Sequence, residues 1–146
     1  MNEAQSVIHL AVAVGAARAR RDSYPAARAT HDRQLVEHGG AEGLRDESLF
    51  QSALGRPLNH FAYESTDIVE LAAKYAAGIV QNHPFVDGNK RTGFVVGVLF
   101  LELNGYRFTA SEEAAAQAVL ELAAGTLEEK GFCEFSRSNS KRARGR

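Results

Sequence analysis

Residues 94–103 read Phe-Val-Val-Gly-Val-Leu-Phe-Leu-Glu-Leu, an apolar run with no polar side of its own. Continued back to about Asn89 and forward to Asn104, where Gly105 can end it, the segment has the length of a helix that is apolar almost all round. It is too short to cross a bilayer. A helix of this kind must be surrounded by other elements of its own chain, so the rest of the sequence is constrained to enclose it. Gly93 and Gly97 are four residues apart and allow one neighbour to pack closely. No segment alternates apolar and polar residues at period two, so strands are scarce and the fold class expected is all-α.

The enclosing helices follow from apolar spacing and from punctuation. The three prolines, at 25, 57 and 84, are read as marking places where helical patterns start or stop. Pro25 suits a first turn, and Ala27–Glu37 reads as a helix closed by Gly39-Gly40. Asp46 is an N-cap for a helix to Leu54, broken by Gly55-Arg56-Pro57. Residues 58–65 are expected to form a loop or small hairpin. Thr66 or Asp67 caps a helix whose stripe is Ile68, Leu71, Ala72, Tyr75 and Ile79, and the same stripe aims His83 inward. Thr109 with Glu112 forms a capping box for a helix to about Ala124, and Thr126 caps a last short one. The expected organisation is an N-terminal, helical extension over 1–24, a domain over 25–135, and a basic, disordered tail over 136–146.

Charge narrows the function classes. The net charge is −1, yet five of the 17 basic residues and none of the 18 acidic ones lie in the last ten positions. Residues 1–136 therefore carry 12 basic against 18 acidic side chains, a net of −6. An acidic body argues against a duplex-binding surface, which needs clustered cations; only the basic tail offers a nucleic-acid contact, with no aromatic residue interleaved to stack bases. One cysteine, Cys133, excludes an internal disulfide and a Cys-based zinc cluster and suits a reducing cytoplasm. The N-terminal apolar stretch is preceded by Glu3 and by no Lys or Arg, the wrong polarity for a signal peptide, and no membrane association is expected.

The chemistry is concentrated in His83-Pro84-Phe85-Val86-Asp87-Gly88-Asn89-Lys90-Arg91-Thr92-Gly93. A helix start presents unpaired N–H groups and a partial positive charge, so the turn from Gly88 to Arg91 can cradle phosphate. Lys90 and Arg91 add two cations where the helix dipole prefers acids, which favours an anionic ligand. Asp87 can hold Mg²⁺ through one carboxylate together with phosphate oxygens. His83 can take a proton from a hydroxyl at neutral pH. Singly, each residue has an ordinary structural reading as helix terminator, turn or solvated face; the conjunction within nine residues is what points to a site.

These residues resemble the signature of the Fic family in its Doc form, H-x-F-x-D-x-N-K-R. The segments His31-Asp32-Arg33 through Gly39-Gly40, Gly43-Leu44-Arg45-Asp46 and Ser52-Ala53-Leu54-Gly55-Arg56-Pro57 are also similar to the Doc-type N-terminal half. The resemblance covers roughly residues 25–135. It implies an all-α Fic fold that binds ATP with Mg²⁺, with His83 as general base on a target Ser or Thr, Phe85 as anchor of the loop, Asp87 as metal ligand, and Gly88, Asn89, Lys90 and Arg91 as phosphate contacts. Residues 58–64 would take the place of a target-aligning flap. Lys90 stands where adenylyl-transferring members have a second glycine, which in the Doc form goes with transfer of the terminal phosphate; Gly88 is the residue found in adenylylating members. The resemblance thus implies a toxin kinase acting on translation elongation factor Tu and held in check by a Phd-type antitoxin, since the inhibitory helix motif of self-restrained members does not occur in this sequence. The alternatives are AMP transfer, an inactive partner-binding module of the same fold, and a metal-dependent hydrolase using Asp87, His83 and His60. His31 and His38, seven apart, are read as a solvated pair, and His60 as an exposed loop residue.

Overall fold

Small residues decide how closely helices approach, and here they line the seam at the centre of the molecule. The structure, a computed structural model, describes residues 16–63 and 67–143. Among these, six helices and two short strands follow one another: α1 (Ala16–His38), α2 (Glu47–Tyr63), α3 (Ile68–Asn82), α4 (Asn89–Leu103), β1 (Tyr106–Phe108), α5 (Glu112–Ala124), α6 (Glu129–Ser138) and β2 (Ser140–Arg142). A Cβ on Gly93 would lie 2.9 Å from the Ala76 carbonyl oxygen and 2.8 Å from Val80 Cγ2, and one on Gly97 would lie 3.0 Å from the Ala72 oxygen. The apolar helix α4 therefore rests on the backbone of α3. On the other side of α3, a Cβ on Gly78 would meet the Ala53 oxygen of α2 at 3.0 Å.

The centre is thus the pair α3–α4, and α3 is the more completely enclosed member, with buried residues on all its faces. Ala26 and Ala27 of α1, Phe50 and Leu54 of α2, Leu71 and Ile79 of α3, Phe85, and Val96 and Phe100 of α4 form one apolar cluster. Ala73, Ala77 and Val80 of α3 form a second with Val119 and Leu122 of α5 and Phe132 of α6. Burial of this kind contributes about 25 cal/mol per Å² of apolar area removed from water. It also overrides local propensity. The helix expected to stop at Gly55-Arg56-Pro57 runs on to Tyr63, so the loop or hairpin expected at 58–65 is helical as far as Tyr63. Pro57 lacks the N–H that would bond Ala53, but its ring is fully buried. Pro25 likewise lies inside α1, which begins well before the first turn assigned to it.

The caps divide in the same way. Asp46 accepts from the Leu49 N–H at 3.0 Å, and Asp67 accepts from the N–H groups of Val69 and Glu70. Thr109, however, is not a cap; Ser111 caps α5 by accepting from Ala114 at 3.1 Å. Thr109 instead continues the extended chain after β1, donating its N–H to the Asn139 oxygen at 2.7 Å. The helix assigned to Thr126 starts later, with Glu128 at its N-cap. Three-residue strands are too short to show alternation, which is why β1 and β2 gave no signal. They pair antiparallel, with Arg107 opposite Lys141.

That pairing corrects the reading of 136–146 as a disordered tail as far as Arg142; residues 144–146 lie outside the described residues. Ser136–Ser138 complete α6, and Ser140–Arg142 form β2. Arg137 reaches Asp67 at 2.7 Å, and the Arg142 guanidinium lies 5.3 Å from the Tyr106 ring centroid. Two of the charges that seemed to belong to a free end instead hold α6 to the start of α3 and β2 to β1. Glu129 performs a similar task, meeting Lys74 of α3 at 2.8 Å and Arg56 of α2 at 2.6 Å.

Two outcomes are expected. Gly93→Ala introduces a methyl where a carbonyl oxygen cannot yield; overpacking of this kind costs about 1–3 kcal/mol, read as a lower midpoint in urea denaturation. Burial raises the Glu129 carboxyl most strongly as a single influence, but the hydrogen bonds and charges of Lys74 and Arg56 together hold it below its usual value. Its stabilising effect is therefore present above the unfolded pKa of about 4.3 and is lost as pH falls through the lower folded value. The thermal midpoints of wild type and Glu129→Gln should differ most near neutral pH and converge in acid.

Candidate active site

The loop between α3 and α4 must reverse the chain between two helices in backbone contact, and both its ends adopt the left-handed conformation. His83 ends α3 at φ 53°, ψ 52°, with its N–H on the Ile79 oxygen, and Gly88 starts α4 at φ 79°. The proline after His83 disfavours a further helical residue, and the left-handed turn takes the side chain off the stripe of α3. His83 consequently does not point toward the domain's centre; it is exposed at the mouth of a cavity. Arg45 donates to the carbonyl oxygens of His83 at 2.7 Å and Asn82 at 3.1 Å, placing a cation on the negative end of α3. The backbone of Gly43–Asp46 runs beside the loop, with Arg45 N–H on the Pro84 oxygen at 2.7 Å and Val86 N–H on the Gly43 oxygen at 3.0 Å.

Phe85 is fully buried. Its ring stacks on His31 with centroids 3.7 Å apart and planes at 4°, and it is tilted against Phe50 at 5.0 Å. Asn89 grips the same residue: its Oδ1 accepts from Phe85 N–H and its Nδ2 donates to the Phe85 oxygen, both at 2.9 Å. Both polar atoms of the Asn89 side chain are therefore engaged within the loop, and what Asn89 presents to the cavity is its backbone. The remaining groups lie outward. Asp87 accepts from Gly88 N–H at 2.8 Å through Oδ1 and from Ala41 N–H at 3.3 Å through Oδ2. Lys90 and Arg91 are exposed and, among the described residues, have no carboxylate within ion-pair distance; an Arg91 Nη lies 3.3 Å from His38 Nε2.

His83, Asp87, Gly88, Asn89, Lys90 and Arg91 all line one cavity of about 650 Å³, within the usual size of small-molecule sites. Apart from Ser111 and Glu112, the rest of its lining is apolar and includes Phe94, Phe108, Ala115 and Val119. Gly88 supplies no cap to α4, and the first turn carries no acid, so the positive end of the helix faces this space with two cations beside it. A cationic floor and an apolar wall suit a phosphorylated ligand that also carries a flat, weakly polar group. Among the described residues no cluster of three His, Cys, Asp or Glu side chains could hold a metal. One carboxylate fits Mg²⁺ held jointly with ligand phosphates, the economical arrangement for that ion. Asp87 is the residue that would hold it.

Against this geometry, the sequence comparison is specific. Residues 23–101, more than half of the chain, match the Fic/DOC family. The chain belongs to the Fic/DOC family. It is 36% identical over 88 residues to "Protein kinase doc" of Escherichia phage P1, covering 60% of this chain and 70% of the phage protein. It is 35% identical over 78 residues to "Toxin Doc" of Mycolicibacterium smegmatis, covering 51% of this chain and 59% of that protein. The Fic/DOC match ends within α4, so β1, α5, α6 and β2 lie beyond it. Phe108, Ala115 and Val119 of the apolar wall are among those later residues.

His31 is the functional-site residue that sequence reasoning missed. Instead of a solvated partner of His38, it is 1% exposed and donates from Nε2 to the Asp87 oxygen at 2.8 Å. His38 is exposed. His31 shares the buried side of α1 with Ala27 and Thr30, but alanine and threonine are too weak an apolar pattern to mark that side in the sequence. His60 and the flap expected at 58–64 involve side chains outside the described residues. For Asn89→Ala the expected result is a loss of about 1–3 kcal/mol, since two buried backbone groups of Phe85 lose their partners. Chemical denaturation measures it.

Proposed function

We propose that this Fic/DOC protein is a Doc-type toxin that transfers the terminal phosphate of ATP to a Ser or Thr hydroxyl of a translation factor, with elongation factor Tu the first candidate. The observation that carries the reading is the convergence of His83, Asp87, Lys90 and Arg91 on one cavity at an uncapped helix start. The names of the two relatives, one a kinase and both Doc proteins, support it.

In this reading the chain's residues divide the work. His83, exposed at the cavity mouth, accepts the proton of the target hydroxyl as its oxygen bonds to the terminal phosphorus. The bond from that phosphorus to the bridging oxygen breaks, and ADP leaves. Lys90, Arg91 and the N–H groups of the first turn of α4 hold the phosphate oxygens and offset the charge they carry in the transition state. Asp87 is the residue that would hold Mg²⁺, and the ion would supply neutralisation of phosphate charge there. The wall of Phe94, Phe108 and Val119 excludes water from one side. A Phd-type antitoxin is the expected partner, an amphipathic segment seated in an apolar groove of the toxin.

Transfer of AMP is the second reading, favoured by Gly88, the residue found in adenylylating members. Intact mass of elongation factor Tu after incubation with ATP and Mg²⁺ distinguishes the two. The kinase reading expects a gain of one phosphoryl group, whereas a gain of AMP establishes the second reading. His83→Ala should reduce the transfer rate by about 10²–10⁴-fold, the usual contribution of a general base. Growth inhibition that survives both His83→Ala and Arg91→Ala would assign the protein to partner binding without chemistry.

A further inference from the structure

The Asp87 residue is held at both of its ends by α1 and the turn that follows it, far from the motif in sequence. His31 lies beneath the loop, 1% exposed, with its ring flat against Phe85. A carbonyl oxygen can only accept, so the 2.8 Å contact with Asp87 O requires the proton on His31 Nε2. Nδ1 faces the other way, 3.8 Å from an Asp32 carboxylate oxygen. The Asp87 side chain is held from above: Ala41 N–H donates to Oδ2 at 3.3 Å. Gly40 makes this seat possible, because a Cβ there would stand 2.9 Å from the same Oδ2, and its φ of +123° is one that side chains rarely adopt. Gly88, next in the chain, lies over the same imidazole, with its absent Cβ position 3.7 Å from Nε2.

We infer that His31 and the Gly40-Ala41 turn form a clamp that orients the Asp87 carboxylate toward the cavity, with His31 as a positioning residue for the metal-dependent part of nucleotide binding. His31 sets the peptide from which the Asp87 side chain springs, and the turn sets the direction of the carboxylate. One oxygen accepts from Ala41 and the other from Gly88, so the lone pairs left over point in fixed directions before any ion arrives. This inference rests on the reading of Asp87 as the carboxylate that holds Mg²⁺ beside the phosphates. Lys90 and Arg91 are outside the clamp, so their part of the phosphate attraction, which needs no Mg²⁺, does not depend on it.

Two substitutions separate the donor from the packing. His31→Leu keeps an apolar face on Phe85 and removes the N–H, whereas His31→Gln keeps an N–H donor of similar reach. Hydrogen exchange on the ligand-free protein reads the clamp directly. Amides over residues 86–90 should exchange faster in His31→Leu, with those of α4 from Val96 onward unchanged and His31→Gln closer to wild type. Calorimetric titration with ATP, with and without Mg²⁺, reads the consequence. His31→Leu should lose about 10–100-fold in affinity for ATP with Mg²⁺, the range seen when a group behind a metal ligand is removed. Its affinity for ATP alone should fall by much less, and Gly40→Ala should show the same split. Unchanged exchange over 86–90 in His31→Leu would overturn the clamp. Equal losses with and without Mg²⁺ would reduce His31 to a support of the fold. A wild-type protein that binds no ATP refutes the nucleotide reading, and the exchange result then decides the clamp by itself.

Discussion

Backbone contact between α3 and α4 is the constraint from which the site follows. Gly93 and Gly97 allow α4 to rest on the carbonyl oxygens of Ala76 and Ala72. The two helices are joined by a tight reversal in which His83 and Gly88 both take left-handed backbone conformations. That reversal points the imidazole of His83 out of the core and leaves the start of α4 without a side-chain cap. The glycines of the seam are therefore as much a part of the site as the residues that face the cavity.

A loop so sharply bent needs to be held, and the chain uses buried groups for this rather than exposed ones. Phe85 fills the space between His31 and Phe50, and Asn89 satisfies both of its backbone polar groups. Leaving either group unpaired in the interior would cost about 1–3 kcal/mol. Exposed Lys90 and Arg91 contribute little to this rigidity and remain available to an anion. The division explains how two cations can be tolerated at a helix start: stability comes from below the loop, and the unfavourable charge placement is kept on its outer side.

Much of this was legible in the chain itself. The apolar run of α4, the stripe of α3, the caps at Asp46 and Asp67, and the turn residues of the motif are local signals, each decided within one or two turns of helix. The misreadings share a different origin. Pro25 and Pro57 are strong local breakers, yet both lie within helices: Pro57 is itself buried, and the exposed Pro25 is carried by the buried Ala26 and Ala27 beside it, so packing outweighs a single missing hydrogen bond. Thr109 fits a capping box as well as any residue could, but it is drawn into the extended chain by Asn139, thirty positions away. The basic end looked unstructured because nothing nearby balances its charge; its partners, Asp67 and Tyr106, come from elsewhere in the fold.

By itself the sequence determined that this chain is helical, where its central helices run, and which nine-residue segment gathers base, acid and cations. Periodicity and turn chemistry are sufficient for that, since helices form from contacts between residues three and four apart. Only the tertiary structure decided that His31 lies beneath the motif and not in solvent, that Asn89 turns its side chain inward, and that Gly40 leaves room for the Asp87 carboxylate. The first and last of those facts depend on bringing α1 and the turn after it against the α3–α4 loop, contacts between residues more than forty positions apart. Long-range packing of that kind follows from the shapes of whole helices, and no local pattern in the chain encodes it.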